Sequence, residues 1–530
     1  MYRYVVYIIV MIITCTCSYK ITNKKEVSRI EALNTDSIPD NYIKVHLNDG
    51  KLAVLSKFSF NEQQKYIIGY GDLYTPEREL IPWISKKHPL NSSKNTNKFY
   101  HDKELVIPYE ECILVETNEY KGFNVISPLL LSLSTFTSTA TVPCLFDPKA
   151  CFGSCPTFYI YNDNKKVLKA EGFSSSITKS MEATDIDYLQ DILTTDSNRD
   201  FKLELMNEAY ETHYIRSCDL LVVPKDFGEH VFYNDHSFFI TSDLSKPISV
   251  NDTNSEVLDL LLYDDNKEYL PVCDKDNLNT KQSVIVEFDE FDAENSGIVI
   301  VQRQSFMTTF LFYQSMAYMG SKAGELLARY ERSSMFLKDA YKSINEVLGG
   351  VEVEVLINGK WRNIGCIKEQ GPIVNDKHIL PIRKEGKITK VRLTMTQGLW
   401  RIDQIGVCKI YRKEKPVVIQ ASSLKKLNVE NCDLLEKINH EEKIIVNLPG
   451  TSYTLTYRLP PYKSASVFLK SRGFYTEWMR REWLAEEDEK MVSLMMHNPN
   501  KWLKLMAPKY KTIEPEMERL FWSSKYAHVH

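Results

Sequence analysis

Residues 143–161 read P-C-L-F-D-P-K-A-C-F-G-S-C-P-T-F-Y-I-Y, a cysteine and proline loop running straight into an aromatic stretch. Three of the eleven cysteines, Cys144, Cys151 and Cys155, fall in this loop, among Pro143, Pro148, Gly153 and Pro156. Pro156 fixes its own φ and biases Ser154-Cys155 toward extended backbone, so Gly153 is the residue free to turn. Thr157-Phe158-Tyr159-Ile160-Tyr161 then reads as a buried strand, and a clamped loop feeding a core strand predicts a sheet-centred middle region. The spacing C-x6-C-x3-C matches neither the paired knuckles of a zinc site nor a C-x-x-C redox motif. A structural disulfide is the expected arrangement, Cys151–Cys155 or Cys144 with one of them. A thiol–disulfide centre at Cys151 and Cys155 is the alternative.

Working outward, 530 residues exceed one ordinary core, and 43% hydrophobic with 26% charged residues is the balance of a globular chain. A formal net charge of −4, without long blocks of one sign, lacks the electrostatic footprint of a nucleic-acid binder, and no nucleic-acid partner is expected. At the N-terminus, Arg3 precedes an apolar run too short to span a bilayer, then Ile13-Thr14-Cys15, so residues 1–17 read as a signal peptide. A cysteine at the cleavage position is lipobox-like: Cys15 is the expected lipidation site and Cys17 its rival, giving a membrane partner through an N-terminal lipid. Export makes the remaining cysteines eligible for pairing, although nine is an odd number.

Residues 18–41 read as a flexible tether and residues 42–125 as a small β module, with Asn48-Asp49-Gly50 as a hairpin turn. Residues 126–348 read as a cysteine-loop α+β domain, with a helix at 175–193 and a long apolar helix from Ser305 to about Arg332. After Gly349-Gly350, nine short strands with turns at Asn358-Gly359, Gln397-Gly398 and Pro449-Gly450 predict an antiparallel sandwich or jelly roll over 351–471. Residues 472–530 read as helices, with Trp478 and Trp483 on the buried side. The expected class is therefore multidomain α+β.

Ala150-Cys151-Phe152-Gly153-Ser154-Cys155-Pro156-Thr157-Phe158-Tyr159 resembles the C-[FY]-G-x-C-P-x-[FY] signature of an uncharacterised domain common in Bacteroidota cell-envelope proteins. Gln302-Arg303-Gln304 with Phe310-Leu311-Phe312-Tyr313-Gln314, Leu399-Trp400-Arg401-Ile402-Asp403, and residues 471–480 are similar to segments of a longer uncharacterised group. The resemblance implies export and a bacterial envelope location, and it implies no activity.

Searches for chemistry return little. There is no G-x-S-x-G, Walker loop, G-x-G-x-x-G or H-E-x-x-H. His230 and His236, flanking a turn with Asp235, are a weak metal or base candidate, and exposed hairpin histidines are the commoner case. Glu486-Glu487-Asp488-Glu489 point in different directions on a helix and read as a solvated face. Trp361, Trp400 and Arg401 are a candidate ligand platform in the sandwich, although strict alternation turns Trp400 and Ile402 inward together. No cofactor and no catalytic residue is assigned. The expected function is an exported, lipid-anchored envelope protein, a non-catalytic binding or assembly component with an envelope protein or glycan partner. A redox protein or a carbohydrate-binding protein are the alternatives.

Overall fold

The computed structural model describes residues 23–28, 42–47, 51–74, 81, 104–120, 155–162, 165–193, 200–209, 211–252, 255–320, 323, 344–368, 371–448, 451–477, 483 and 486–524. Two compact units divide the chain: Met1–Pro143 with Ser321–Arg332 and Val529–His530, and Cys144–Gly320 with Ser333–His528. Among the described residues the protein is mostly β, with several antiparallel sheets and few helices, including helices at the C-terminus.

The first unit holds β1 (Asn23–Ser28), β2 (Tyr42–Leu47), β3 (Leu52–Asn61), β4 (Tyr66–Tyr74), β5 (Glu104–Pro108) and β6 (Cys112–Tyr120) in one sheet, ordered β1-β6-β2-β3-β4-β5. Alternate residues Ile43, Val45, Ala53, Leu55, Ile67, Ile107 and Val115 form its core.

The second unit begins with β7 (Thr157–Asn162), β8 (Lys165–Glu171), β9 (Ala183–Ile192), β10 (Asp200–Met206), β11 (Glu211–Pro224), β12 (His230–Asn234) and β13 (Ser237–Thr241). Next come β14 (Ser249–Asn251), β15 (Lys281–Asp292), β16 (Ser296–Gln304) and the helix α1 (Met307–Met319). The second half supplies β17 (Val351–Ile357), β18 (Lys360–Ile367), β19 (Asp376–Pro381), β20 (Lys387–Thr396), β21 (Trp400–Glu414), β22 (Val417–Ile419), β23 (Ser423–Lys426) and β24 (Val429–Glu430). A short helix α2 (Cys432–Ile438), strands β25 (Ile445–Asn447), β26 (Ser452–Arg458) and β27 (Ala465–Glu477), and helices α3 (Glu489–His497) and α4 (Pro499–Ser524) complete it.

A sheet ordered β24-β23-β26-β10-β7-β8 faces one ordered β22-β11-β27-β9. Between them lies a core that includes Phe158, Leu203, Leu220, Leu455, Val467 and Leu469. The other face of the second sheet, through Leu221, Val223 and Phe468, packs on Val231, Phe238 and Ile240 of the β12–β13 hairpin. Covered on both faces, β11 is buried along almost its whole length, including its polar residues Glu211, Thr212, His213, Ser217 and Asp219. The hairpin belongs to a closed barrel, β12-β13-β21-β16-β19, sealed by a parallel contact in which Tyr233 opposes His378. A further sheet is ordered β14-β15-β20-β17-β18.

Several expectations need correcting. Residues 175–193 are not a helix: a single 3-10 turn, Lys179–Met181, precedes β9. Pairing of β9 along β27, from Ala183 opposite Gly473 to Ile192 opposite Ala465, overrides the local pattern. Gly473 likewise continues a strand to Glu477, since β27 pairs with β11 over that whole length. The strands of 351–470 do not close on themselves as one sandwich. They enter four sheets and pair with strands from 157–304, so the joint expected at Gly349-Gly350 separates no sheets. Among the described residues the central region is mostly sheet, with α1 as its main helix.

Other readings hold. Thr157–Asn162 is a core strand, and Asn358 and Gly359, both at positive φ, turn β17 into β18 as the Asn-Gly pair predicts. Of the apolar helix expected from Ser305 to about Arg332, α1 covers Met307–Met319, and residues 321–322 and 324–332 lie outside the described residues. Helix α1 is buried nearly all round, with Tyr313 against Trp483 at 5.0 Å and Phe310 against Tyr510 at 5.3 Å. Among the described residues, no helix is long and apolar enough to cross a membrane.

Candidate functional site

Cys155 begins the described part of the cysteine loop; Cys15, Cys17, Cys144, Cys151 and Gly153 lie outside the described residues. The expected disulfide is corrected at this position. Cys155 is a free thiol, 6% exposed, whose Sγ donates to the Ser174 carbonyl at 3.6 Å. It points into the core between the two sheets instead of back along the loop. Pro156 accepts the Gly172 amide at 2.9 Å, tying the loop to the turn after β8. Burial first, then the carboxylates of Glu171 and Glu211, push the thiol well above its usual range. Such a thiol is a poor nucleophile near neutral pH. Iodoacetamide should therefore modify the exposed Cys432 readily and Cys155 only on unfolding. Fast labelling of native Cys155, read by peptide mapping, would reverse this assignment.

The platform residues are not brought together. Trp361 lies on β18, where the Arg392 guanidinium sits 4.5 Å from its ring centre. Trp400 lies on β21, wholly buried, donating its indole N–H to the Gly349 carbonyl at 3.3 Å. Inward alternation placed it in the core, and no ring face is left for a ligand. Arg401 instead joins a charge cluster made where two of the quoted motifs pair as neighbouring strands, Arg303 opposite Arg401. Arg303 donates to both oxygens of Glu268 at 2.6 Å and to the Pro372 carbonyl at 2.6 Å, and Arg401 reaches the same carboxylate at 3.2 Å. Asp403, on the same strand, accepts from the Asn266 amide and Asn375 Nδ2, and burial and then Asp264 push it up to about 7. His230 and His236 are separated by their partners: His230 lies 2.7 Å from Asp243, and His236 donates its amide to the Tyr233 hydroxyl.

A second cluster escaped the sequence reading. It occupies the seam where β9 of the sandwich meets β19 of the barrel. Asp185 and Asp187 alternate along β9, and Asp376 and His378 alternate along β19, so each pair shares a face. Asp376 Oδ2 lies 2.8 Å from His378 Nε2. Asp185 accepts the amides of Phe173 and Ile186, both at 3.1 Å. Glu171, at the end of β8, accepts the Ile373 amide at 2.8 Å. A Cβ on Gly371 would stand 2.2 Å from that carboxylate, so a larger residue there would displace it. Two oxygens of the cluster go without a hydrogen-bond partner: Glu171 Oε1, and Oδ2 of Asp187, which is 9% exposed.

Burial and then Asp376 push Asp185 up to about 6, and burial and then Asp185 carry Asp187 well above the carboxylate range. Burial pushes Glu171 up to about 8. For Asp376 burial acts upward too, but the His378 imidazolium and the Lys377 amide outweigh it and hold the carboxyl low. Burial would lower His378, but Asp376 and Asp185 outweigh it and hold the ring above its ordinary value. The seam is thus a proton-holding cluster of four acids and one imidazole. The signals were Asp-x-Asp and Asp-x-His, each legible as a shared strand face only once both segments are known to be strands.

No protein-family model matches this chain. No curated protein matches it either. Among solved structures, CpGH89CBM32-6 produced by Clostridium perfringens aligns over 31% of this chain and 91% of its own, at 16% identity and a TM-score of 0.18. A structure of allantoicase aligns over 49% of this chain and 92% of its own, at 10% identity and a TM-score of 0.19. Likeness at these scores assigns neither fold nor function.

Proposed function

We propose that the chain is a binding or assembly component of the bacterial envelope, exported and lipid-anchored through Cys15, with its contact site at the carboxylate seam. The observation that carries the binding site is Asp187. A carboxyl oxygen closed off from water without a hydrogen bond costs about 1–3 kcal/mol, which a missing partner group would relieve. The lipobox-like Ile13-Thr14-Cys15 carries the address. The buried thiol of Cys155 speaks against the redox alternative. A carbohydrate site on a jelly-roll-like part of 351–471 would need a platform other than Trp400.

Radiolabelled palmitate should enter the wild-type chain and be lost in Cys15→Ala. Recovery of the protein from the cytoplasmic fraction would end the envelope reading. Formaldehyde cross-linking in cells should give an adduct that Asp187→Asn removes without lowering the urea midpoint. An adduct that persists unchanged in Asp187→Asn would move the contact site elsewhere.

A further inference from the structure

We propose that the seam between β9 and β19 binds an organic cation, an alkylammonium or guanidinium group, seated among Asp185, Asp187 and Asp376. This rests on the binding reading above and adds the chemistry of the ligand. Asp376 and Asp185 act on the His378 imidazole, and Asp187 and Glu171 lie close enough to Asp185 to feel its charge, so the seam holds more acids than bases. Asp187, nine-tenths buried, has its inner oxygen unsatisfied. Nearby cations are engaged elsewhere. Lys377 alternates to the opposite face of β19, where it meets Asp264 at 2.6 Å and lies 4.9 Å from the Tyr188 ring centre. Arg216 and Arg472 both pair with Glu182, at 2.6 and 2.8 Å. Lys169, on β8, senses Lys377 and Asp264.

Geometry selects the kind of cation. A divalent metal gathers oxygens at about 2.0–2.6 Å around one centre. Among the described residues, no three Asp, Glu, His or Cys side chains are placed to do so. An ammonium or guanidinium instead meets separate carboxylates through separate N–H groups at about 2.7–2.9 Å, so its acceptors stand further apart. Tyr233, in register with His378 and near the charges of Asp185 and Asp376, adds an aromatic ring to the surroundings. Because the carboxylates hold protons until the pH rises, the cation displaces protons and binds more tightly at higher pH.

The test is a calorimetric titration of the full chain with n-butylammonium chloride, with tetramethylammonium chloride and calcium chloride as controls. Saturable binding of n-butylammonium is expected at about pH 7.5, about tenfold weaker at about pH 5, and lost in Asp187→Asn. Tetramethylammonium, having no N–H, should not bind at the seam. Folding of the variant is checked by its urea midpoint, which should equal or exceed that of wild type. Three results would overturn the proposal: no n-butylammonium binding by wild type, equal binding by Asp187→Asn, or Asp187-dependent binding of calcium alone. If n-butylammonium fails while the cellular adduct still depends on Asp187, the cation class is wrong and the contact site stands. If n-butylammonium binds through Asp187 while the adduct persists in the variant, the cation class stands and the assembly reading fails.

Discussion

Glu268→Ala is expected to destabilise the second unit by about 3–5 kcal/mol, the usual cost of breaking a buried ion pair from one side. Glu268 and Arg303 side chains are each 7% exposed, and Arg401 is 18% exposed. Removing the carboxylate would take away the acceptor that two guanidinium groups share across the β16–β21 pair. Arg303 would keep only its bond to the Pro372 carbonyl among those described above. Urea unfolding followed by tryptophan fluorescence reads the loss directly, since Trp400 is buried next to Arg401 in the same strand. Glu268→Leu combined with Arg303→Met and Arg401→Met should recover most of the stability, because an apolar trio needs no counter-charge. A loss below about 1 kcal/mol in Glu268→Ala would show that the cluster behaves as a solvated surface pair.

Stability should peak on the acid side of neutrality and fall toward pH 8. Asp185 holds its proton to about pH 6 in the fold, against about 4 in an unfolded chain. Its contribution is therefore complete at low pH and is lost as the pH climbs through that interval. Asp187 acts in the same direction, and Glu171 extends the decline to about pH 8. His378, held above its ordinary value, stabilises below about pH 6.5 and loses that contribution as the pH rises through its folded value. Two groups bound the acid side. Asp376, held low, loses its contribution as the pH falls through its folded value. His213, pushed by burial to about 3, stays neutral in the fold while the unfolded chain takes up protons below about pH 6.5. Urea midpoints from about pH 4 to 8 should show a fall of about 2–4 kcal/mol on the alkaline limb. Glu171→Gln should flatten the limb up to about pH 8, and Asp185→Asn should flatten only its part below about pH 6. A limb that is flat or rising would refute the assignment.

The strands with their own turn chemistry were legible: Asn358-Gly359 turns a hairpin, and Asn234-Asp235-His236 turns β12 into β13 with Asp235 and His236 at positive φ. The core strand at Thr157–Asn162 announced itself by composition. The seam was hidden because β9 inverts the usual pattern. In Asp185-Ile186-Asp187-Tyr188-Leu189, Asp187 is buried with Leu189 while Ile186 and Tyr188 are only partly covered. A reading that assigns polar residues to solvent places those aspartates outside. Such inversions concentrate where a fold gives up packing for a site. The pairing of Arg303 with Arg401 was out of reach for another reason. Both motifs are visible in the sequence, but only the register of β16 on β21 makes them neighbours.

The interleaving of early and late strands has a kinetic consequence. Asp200 lies opposite Arg458, and Glu211 opposite Glu477, so strands made early find their partners only after nearly the whole chain exists. Loop closure over such separations is slow, and a ribosome-bound chain would present β10 and β11 as bare edges. The second unit cannot assemble from its N-terminal half alone. A chain arrested before residue 452 is thus a substrate for chaperones and proteases, whereas separately made halves, mixed while unfolded, can complete each other's sheets.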